Sequence, residues 1–263
     1  MTSAVPGADL LPATRNALAV MLLAIADDEF VIGFSDSEWT GIAPILEEDV
    51  AISSLAQDEI GHAQAFYRLL AELVDDGRDA DAIAFDRPPE GYYHARLLDH
   101  PRGDWAQTIA RRYLFDTAED VRMAALERSS YVPLAALVTK VRREERYHLM
   151  HMATWLERLA LARGEPRERL IQAFERIGPD AGTVLAPLPS EMALVMSDIM
   201  AIDAAEMDAR WRAGIAPTFE RLRLPLPPPT RDPGDARTGH SDAFRWLHGE
   251  FTSVRQIDPA ATW

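Results

Sequence analysis

Two glutamate–histidine pairs with identical spacing stand out in the sequence. Glu59 is followed three residues later by His62, and Glu145 is followed three residues later by His148. On a helix this spacing puts a carboxylate and an imidazole on one face, about one turn apart. Both groups are ligands for divalent transition-metal ions. The repeated pair therefore predicts a metal site built on two helices.

Two further glutamates interrupt apolar stripes in the same way. Glu29 lies between Ile25 and Ile32, and Glu119 lies in phase with the apolar residues around it. Four carboxylates and two imidazoles cannot be buried together without compensation, because an isolated buried carboxylate takes up a proton instead. Two divalent cations would balance the four negative charges. We therefore predict six ligands that are also the catalytic residues: Glu29, Glu59, His62, Glu119, Glu145 and His148.

Several neighbours compete with these residues or are expected to support them. Asp28 adjoins Glu29 but is out of phase with the apolar stripe, whereas Asp116 and Asp120 flank Glu119, and Asp116 is placed to orient a histidine. Glu144 and His151 lie close enough to His148 along the helix to be substitute ligands, although a partly exposed helix histidine is the more ordinary interpretation of His151. The remaining histidines lie in or near predicted loops and are assigned no metal role: His94, His100, His240 and His248.

The elements that must position these residues are helices. Clusters of proline and glycine separate long segments with apolar residues spaced three and four apart, and no segment shows the alternation of a strand. The four long segments cover about residues 14–34, 43–74, 105–128 and 133–162. Shorter helices are predicted at about 167–176, 190–213 and 241–251, and five prolines mark a loop within 224–239.

One glutamate from each of two helices, with Glu-x-x-His from each of two others, is the arrangement of ferritin-like di-iron and di-manganese proteins. Glu29 precedes Glu59 by 30 residues and Glu119 precedes Glu145 by 26, as two helix hairpins require. We therefore predict an all-α, ferritin-like four-helix bundle with additional C-terminal helices. The whole chain, 1–263, is expected to form one domain, with the core bundle at about 14–162 and accessory helices and a proline-rich extension at about 166–263.

Composition narrows the function. The net charge of −15 argues against nucleic acid and anionic membrane surfaces as partners. The absence of cysteine excludes disulfides, thiolate zinc sites and iron–sulfur clusters. Met1 to Leu11 lacks a basic region followed by an apolar run, and no apolar stretch approaches the roughly 20 residues of a membrane span, so we expect a cytoplasmic protein.

The ligand types favour two iron ions, with manganese possible, over structural zinc. Open positions on such a pair would allow dioxygen to bind, so oxygen insertion into an organic substrate is the predicted reaction. Electrons would have to come from a separate reductase, because the chain has no flavin or iron–sulfur motif.

Longer segments resemble a known family. The stretch from Ser37 to Ala51 (SEWTGIAPILEEDVA) is similar to the signature segment of the phenylacetyl-CoA monooxygenase, or ring 1,2-epoxidase, family. His94 to Arg112, Arg146 to Leu149, Trp155 to Leu159 and the tail from Arg237 to Trp263 also agree with it. The resemblance covers most of the chain and is closest to the structural partner subunit, PaaC, of that complex.

This resemblance implies phenylacetate catabolism, an aromatic or acyl-CoA substrate, and a homodimer or a heterodimer with a ferritin-like homologue. In the partner subunit the di-iron ligands are largely absent, and activity resides in the related PaaA. Here Glu59 and His62 stand where the partner subunit typically has leucine and glutamine. The alternative prediction is a non-catalytic scaffold. An acyl-CoA would need a basic patch, for which the candidates are Arg102, Arg111, Arg112, Arg142 and Arg143.

Overall fold

The computed structural model describes residues 10–230 and 233–258. Among these residues there are α-helices, 3-10 turns and loops but no β-strand. The helices are α1 Pro12–Ser37, α2 Leu46–Val74, α3 Ala80–Phe85, α4 Trp105–Leu126, α5 Val132–Leu161, α6 Glu165–Ile177, α7 Glu191–Met196, α8 Ala204–Leu222 and α9 Asp242–Ile257. The all-α prediction is confirmed. Residues 1–9 and 259–263 lie outside the described residues. The inference from Met1 to Leu11 and the family resemblance of the tail up to Trp263 fall partly on them.

Helices α1, α2, α4 and α5 form the ferritin-like bundle. Their ends follow local chemistry: Pro12 and Pro133 lie in the first turns of α1 and α5, where a missing N–H costs nothing. Asp104 caps α4 by accepting a hydrogen bond from the Gln107 backbone N–H at 3.0 Å. Three acidic residues in the first turn of α2 complement its dipole. The four long helical segments predicted from the sequence are therefore confirmed.

The two hairpins pack tightly over the apolar stripes. Leu18, Leu22 and Ile32 of α1 are fully buried. A Cβ atom at Gly33 would lie 3.0 Å from Glu59 Cβ and 3.1 Å from the Ala56 carbonyl oxygen. The glycine therefore permits a close approach of α1 and α2 one turn from Glu29, beside Glu59.

The C-terminal half departs from the sequence prediction. The single helix predicted at 190–213 is wrong, because α7 ends at Met196 and α8 begins at Ala204. Asp198 between them has φ 55°, and its carbonyl accepts from the Ser130 backbone N–H at 2.9 Å. Helix α8 then continues to Leu222, through Pro217, because Trp211, Ile215 and Phe219 bury its inner face.

Between α2 and α4, where no helix is predicted from the sequence, the chain forms the short helix α3. Helix α9 covers the predicted 241–251 and continues to Ile257; its Phe251 packs edge-on against Phe30 of α1 at 5.0 Å between ring centroids. Through such contacts the extension lies against the core bundle. No helix in the described part of the chain is long and apolar enough to cross a membrane.

Candidate metal centre

All six predicted ligands are buried in the bundle. Glu29 comes from α1, Glu59 and His62 from α2, Glu119 from α4, and Glu145 and His148 from α5, and the most exposed of them is 5% accessible. Each lies in phase with the apolar stripe of its helix, which turns it inward with the core residues. The four helices therefore direct these groups into one interior region.

The two histidines point the same nitrogen at shared carboxylates. His62 Nδ1 lies 3.2 Å from Glu145 Oε1 and 3.6 Å from Glu29 Oε2. His148 Nδ1 lies 3.1 Å from both Glu59 Oε1 and Glu145 Oε1. Glu59 and Glu145 thus lie between the two imidazoles, where ligands shared by two ions would be.

The candidate donor atoms lie close together and several lack a hydrogen-bond partner, as expected for a cation-binding site. Ligand atoms of Glu29, Glu59, His62 and Glu145 all lie within 4.8 Å of one another. Neither oxygen of Glu29 or Glu145, nor Nδ1 of either histidine, has a hydrogen-bond partner in the described structure. Buried polar atoms left in this way are costly unless an ion engages them. Oxygen and imidazole donors without sulfur suit iron or manganese.

An outer carboxylate fixes each histidine from the opposite helix. His62 Nε2 on α2 is 2.8 Å from Glu144 Oε2 on α5, and His148 Nε2 on α5 is 3.3 Å from Asp58 Oδ2 on α2. An acceptor on Nε2 directs Nδ1 inward as the ligand atom. Glu144, considered above as a substitute ligand, lies outside the donor cluster, and Asp58 was missed by the sequence analysis. Its signal is the acidic residue that immediately precedes Glu in both Glu-x-x-His pairs.

Glu119 differs from Glu29 and Glu145 because it forms an ion pair with an arginine, Arg122, one turn along α4. Burial raises its pKa to about 7, even though Arg122 acts in the opposite direction. Arg122 also donates to Asp28 Oδ2 at 2.7 Å, and Asp28 accepts two more hydrogen bonds from Arg237, each 3.0 Å long. Asp28 is therefore the counter-ion of two arginines.

A second arginine, Arg112 of α4, contacts the centre from the same helix. Its Nη1 donates to Glu59 Oε1 at 2.5 Å, and its Nη2 lies 3.3 Å from Asp116 Oδ1. Burial alone would raise the pKa of Glu59, but Arg112 and both histidines hold it well below the ordinary value. Asp116 thus lies beside a guanidinium, and neither histidine is among its hydrogen-bond partners in the described structure.

The other sequence candidates lie away from the cluster. Asp120 is half exposed and pairs with Arg142 at 3.0 Å, while His151 Nε2 is 2.9 Å from Glu48 Oε2. Of the proposed basic patch, Arg111 and Arg112 are wholly buried against Asp36, so the prediction that they face a solvent-borne anion is wrong. Both guanidinium groups are held in the interior by ion pairs with Asp36 of α1, which is distant in sequence. Arg102 lies over the Trp39 ring at 4.1 Å.

A cavity of about 470 Å³ lies between α2 and α5, beside the donor cluster. His148 and Asp58 form part of its wall, and Leu55, Tyr147 and Trp155 supply apolar surface. His148 is the one of the six predicted ligands in this wall, so the cavity lies next to the donor cluster, on the outer side of that histidine.

A second buried group joins His94 and His240 through Asp99. His94 Nε2 donates to Asp99 Oδ1 at 2.6 Å, and His240 Nδ1 lies 3.4 Å from the same oxygen. The two rings stack 4.5 Å apart at only 16°. An imidazole lone pair lies in the ring plane, so one ion cannot lie in both planes. We interpret the group as a clasp between the 94–99 segment and the residues before α9.

Replacing His240 with glutamine tests this clasp. Burial lowers the pKa of His240, but its hydrogen bond to Asp99 outweighs burial and raises it. A raised folded-state pKa contributes stability below the unfolded value of about 6.5, and that stability is lost as pH rises through the folded value. We expect the variant to lose about 1–2 kcal/mol of unfolding free energy at about pH 6 and less at about pH 9.

Urea unfolding at the two pH values measures the difference. His248→Gln is the matched control, because His248 donates to the Arg87 carbonyl oxygen at 2.9 Å rather than to a carboxylate. This variant controls for the loss of a histidine ring and one neutral hydrogen bond from the same part of the chain. A pH-independent loss for His240→Gln would contradict the clasp.

The whole chain is similar to proteins of one known family. A family model described as phenylacetic acid catabolic protein matches residues 1–263. The C subunit of the 1,2-phenylacetyl-CoA epoxidase of Escherichia coli (strain K12) is 28% identical over 249 residues, covering 94% of this chain and the full length of that relative. The A subunit of the same epoxidase is 26% identical over 245 residues, covering 90% of this chain and 77% of that relative.

Proposed function

The chain belongs to the phenylacetic acid catabolic protein family, and on that premise we propose that it is a di-iron subunit of an acyl-CoA oxygenase. The observation that carries the proposal is the convergence of two imidazole Nδ1 atoms on a group of buried carboxylates in which neither oxygen of Glu29 or Glu145 has a hydrogen-bond donor in the described structure. Glu29, Glu59, His62, Glu119, Glu145 and His148 would hold the ions. An iron pair would supply electrons to dioxygen, with one oxygen atom entering the substrate and the other leaving as water.

The chain's own residues would prepare the site for that chemistry. Asp58 and Glu144 orient the histidines, as described above, and burial keeps bulk water from the donor atoms. The cavity beside His148 offers an apolar approach of a size that suits an acyl group. Two electrons per turnover would come from a separate reductase, since this sequence contains no cysteine for an iron–sulfur cluster.

A second function is favoured by the two buried arginines beside the centre. Arg112 and Arg122 neutralise Glu59 and Glu119 without any metal, as a scaffold would require. In that case the chain would hold a catalytic homologue and perform no chemistry. The identity with the C subunit of the epoxidase exceeds that with its A subunit, which points in the same direction.

Metal analysis separates the two functions. Protein made in iron-replete medium is expected to contain at least about one iron or manganese ion per chain, as a four-carboxylate, two-histidine centre requires. Dioxygen uptake with a reductase and an acyl-CoA thioester is the second measurement. A metal content well below one ion per chain, with a folded protein, would contradict the di-iron function and leave the scaffold.

A further inference from the structure

The donor cluster is unequal on its two sides, although the sequence pattern that builds it is repeated. On one side Glu29, Glu59, His62 and Glu145 already bring ligand atoms within 4.8 Å of one another. On the other side His148 is in place, 3.1 Å from Glu59 and Glu145. Glu119, the counterpart of Glu29, is instead paired with Arg122. One position is therefore assembled and the other lacks a free terminal carboxylate.

The Arg122 guanidinium is fixed where it competes for Glu119. Its Nη1 donates to Asp28 Oδ2 at 2.7 Å and to the Val184 carbonyl oxygen at 3.3 Å, while Nη2 faces Glu119. The side chain is buried. An ion that takes Glu119 as a ligand must compete with this pair for the carboxylate charge, and weakening an ion pair of a buried guanidinium is unfavourable.

Arg112 adds a second positive charge on the same side. It donates at 2.5 Å to Glu59 Oε1, the oxygen that also lies 3.1 Å from His148 Nδ1. A guanidinium stays protonated at any ordinary pH. The two arginines thus reduce the negative charge available to a cation near His148, and they repel it at short range in a medium of low polarity. Neither oxygen of Glu29 accepts a hydrogen bond from an arginine in the described structure.

We propose that the two metal positions fill in a fixed order with unequal affinity. The first ion binds at Glu29, Glu59, His62 and Glu145. The second, at Glu119 and His148 with Glu59 and Glu145, binds about 10- to 100-fold more weakly, because Glu119 and Glu59 must share their charge between an arginine and the metal. This inference rests on the proposed function, since it requires that the centre binds metal.

Titration of the metal-free full-length protein with Co²⁺ tests the order, followed by calorimetry and by the visible absorption of bound Co²⁺. The wild type is expected to bind one tight equivalent and one weaker equivalent. Arg122→Gln is expected to narrow the gap in affinity, because it removes the competing charge. Glu119→Gln is expected to retain the tight equivalent and lose the weak one.

Arg237→Gln is the matched control. Arg237 contacts the same Asp28 but not Glu119, so both affinities are expected to stay within about threefold of wild type, as for a site without direct contact. Circular dichroism verifies folding of every variant. If Arg122→Gln does not fold, the wild-type titration and Glu119→Gln decide the question.

The possible outcomes distinguish a failure of the unequal filling order from a failure of the proposed di-iron function. Two equivalents of equal affinity in the wild type would overturn the unequal order while leaving the metal centre intact. Loss of the tight equivalent in Glu119→Gln would overturn the assignment of the first position. An unchanged gap in folded Arg122→Gln would overturn the role of Arg122. Absence of any bound Co²⁺ would instead remove the proposed function.

Discussion

Replacing Glu59 with alanine is expected to weaken iron binding by more than about 100-fold, a larger loss than an outer partner produces. Glu59 lies between the two histidines, so its removal takes a donor from both sides of the cluster. The fold is expected to persist, because Arg112 keeps Asp36 and Asp116 as partners. Iron content per chain and the helical circular dichroism signal are the two measurements.

Gln57→Ala on the same helix is the matched control. Gln57 is exposed and two residues from Glu59, so its replacement tests the effect of an alanine at this level of α2 without touching the donors. Iron content is expected to be unchanged. Wild-type iron in Glu59→Ala would show that the cluster is not the metal site, and global unfolding of that variant would assign Glu59 a structural role.

Replacing Asp28 with asparagine is expected to lower the free energy of unfolding by about 3–5 kcal/mol, the cost of breaking a buried ion pair by removing one partner. Asp28 is fully buried and accepts hydrogen bonds from Arg122, Arg237 and the Ala95 backbone N–H. Burial alone would raise its pKa, but the two arginines lower it. The neutral amide would leave their charges poorly compensated.

Chemical unfolding at several pH values checks the size and sign of the effect. A lowered folded-state pKa contributes stability above the unfolded value of about 3.9, and this is lost as pH falls through the folded value. The gap between wild type and Asp28→Asn is therefore expected to be full at neutral pH and to shrink on acidification. Asp86→Asn, which removes a half-exposed partner of Arg255, is the control and is expected to cost less than about 1 kcal/mol. Equal losses for both variants would contradict this account.

The sequence predicts the bundle and its inward-facing ligands because both follow from one helical period. Glu59 and His62 fall on the face of α2 that carries Leu55 and Phe66, and all four are buried in the structure. That relation is local, so a single sequence is enough to find it. The spacings between the glutamates along the sequence then indicate that the four long helices form two hairpins.

What the sequence did not predict depends on contacts between distant segments. Asp58 has an ordinary exposed position on α2, and only the antiparallel approach of α5 brings His148 to it. Arg112 was expected at the surface because helix arginines usually are, yet Asp36 of α1 and Glu59 of α2 retain it inside. No proline or glycine marks the break near Asp198 in the sequence. In the structure the Ser130 backbone N–H donates a hydrogen bond to the Asp198 carbonyl oxygen at this break.

The ion pair between Asp28 and Arg237 joins residues 209 positions apart. Asp28 is synthesised early and packs into the first hairpin, whereas its partner follows after nearly all the other helices have been made. Contacts of such wide separation form late, because closing the intervening chain costs entropy before the contact rewards it. During synthesis the bundle therefore carries an undercompensated interior charge until the segment with Arg237 docks. Docking of that segment then also completes the charge balance of the interior.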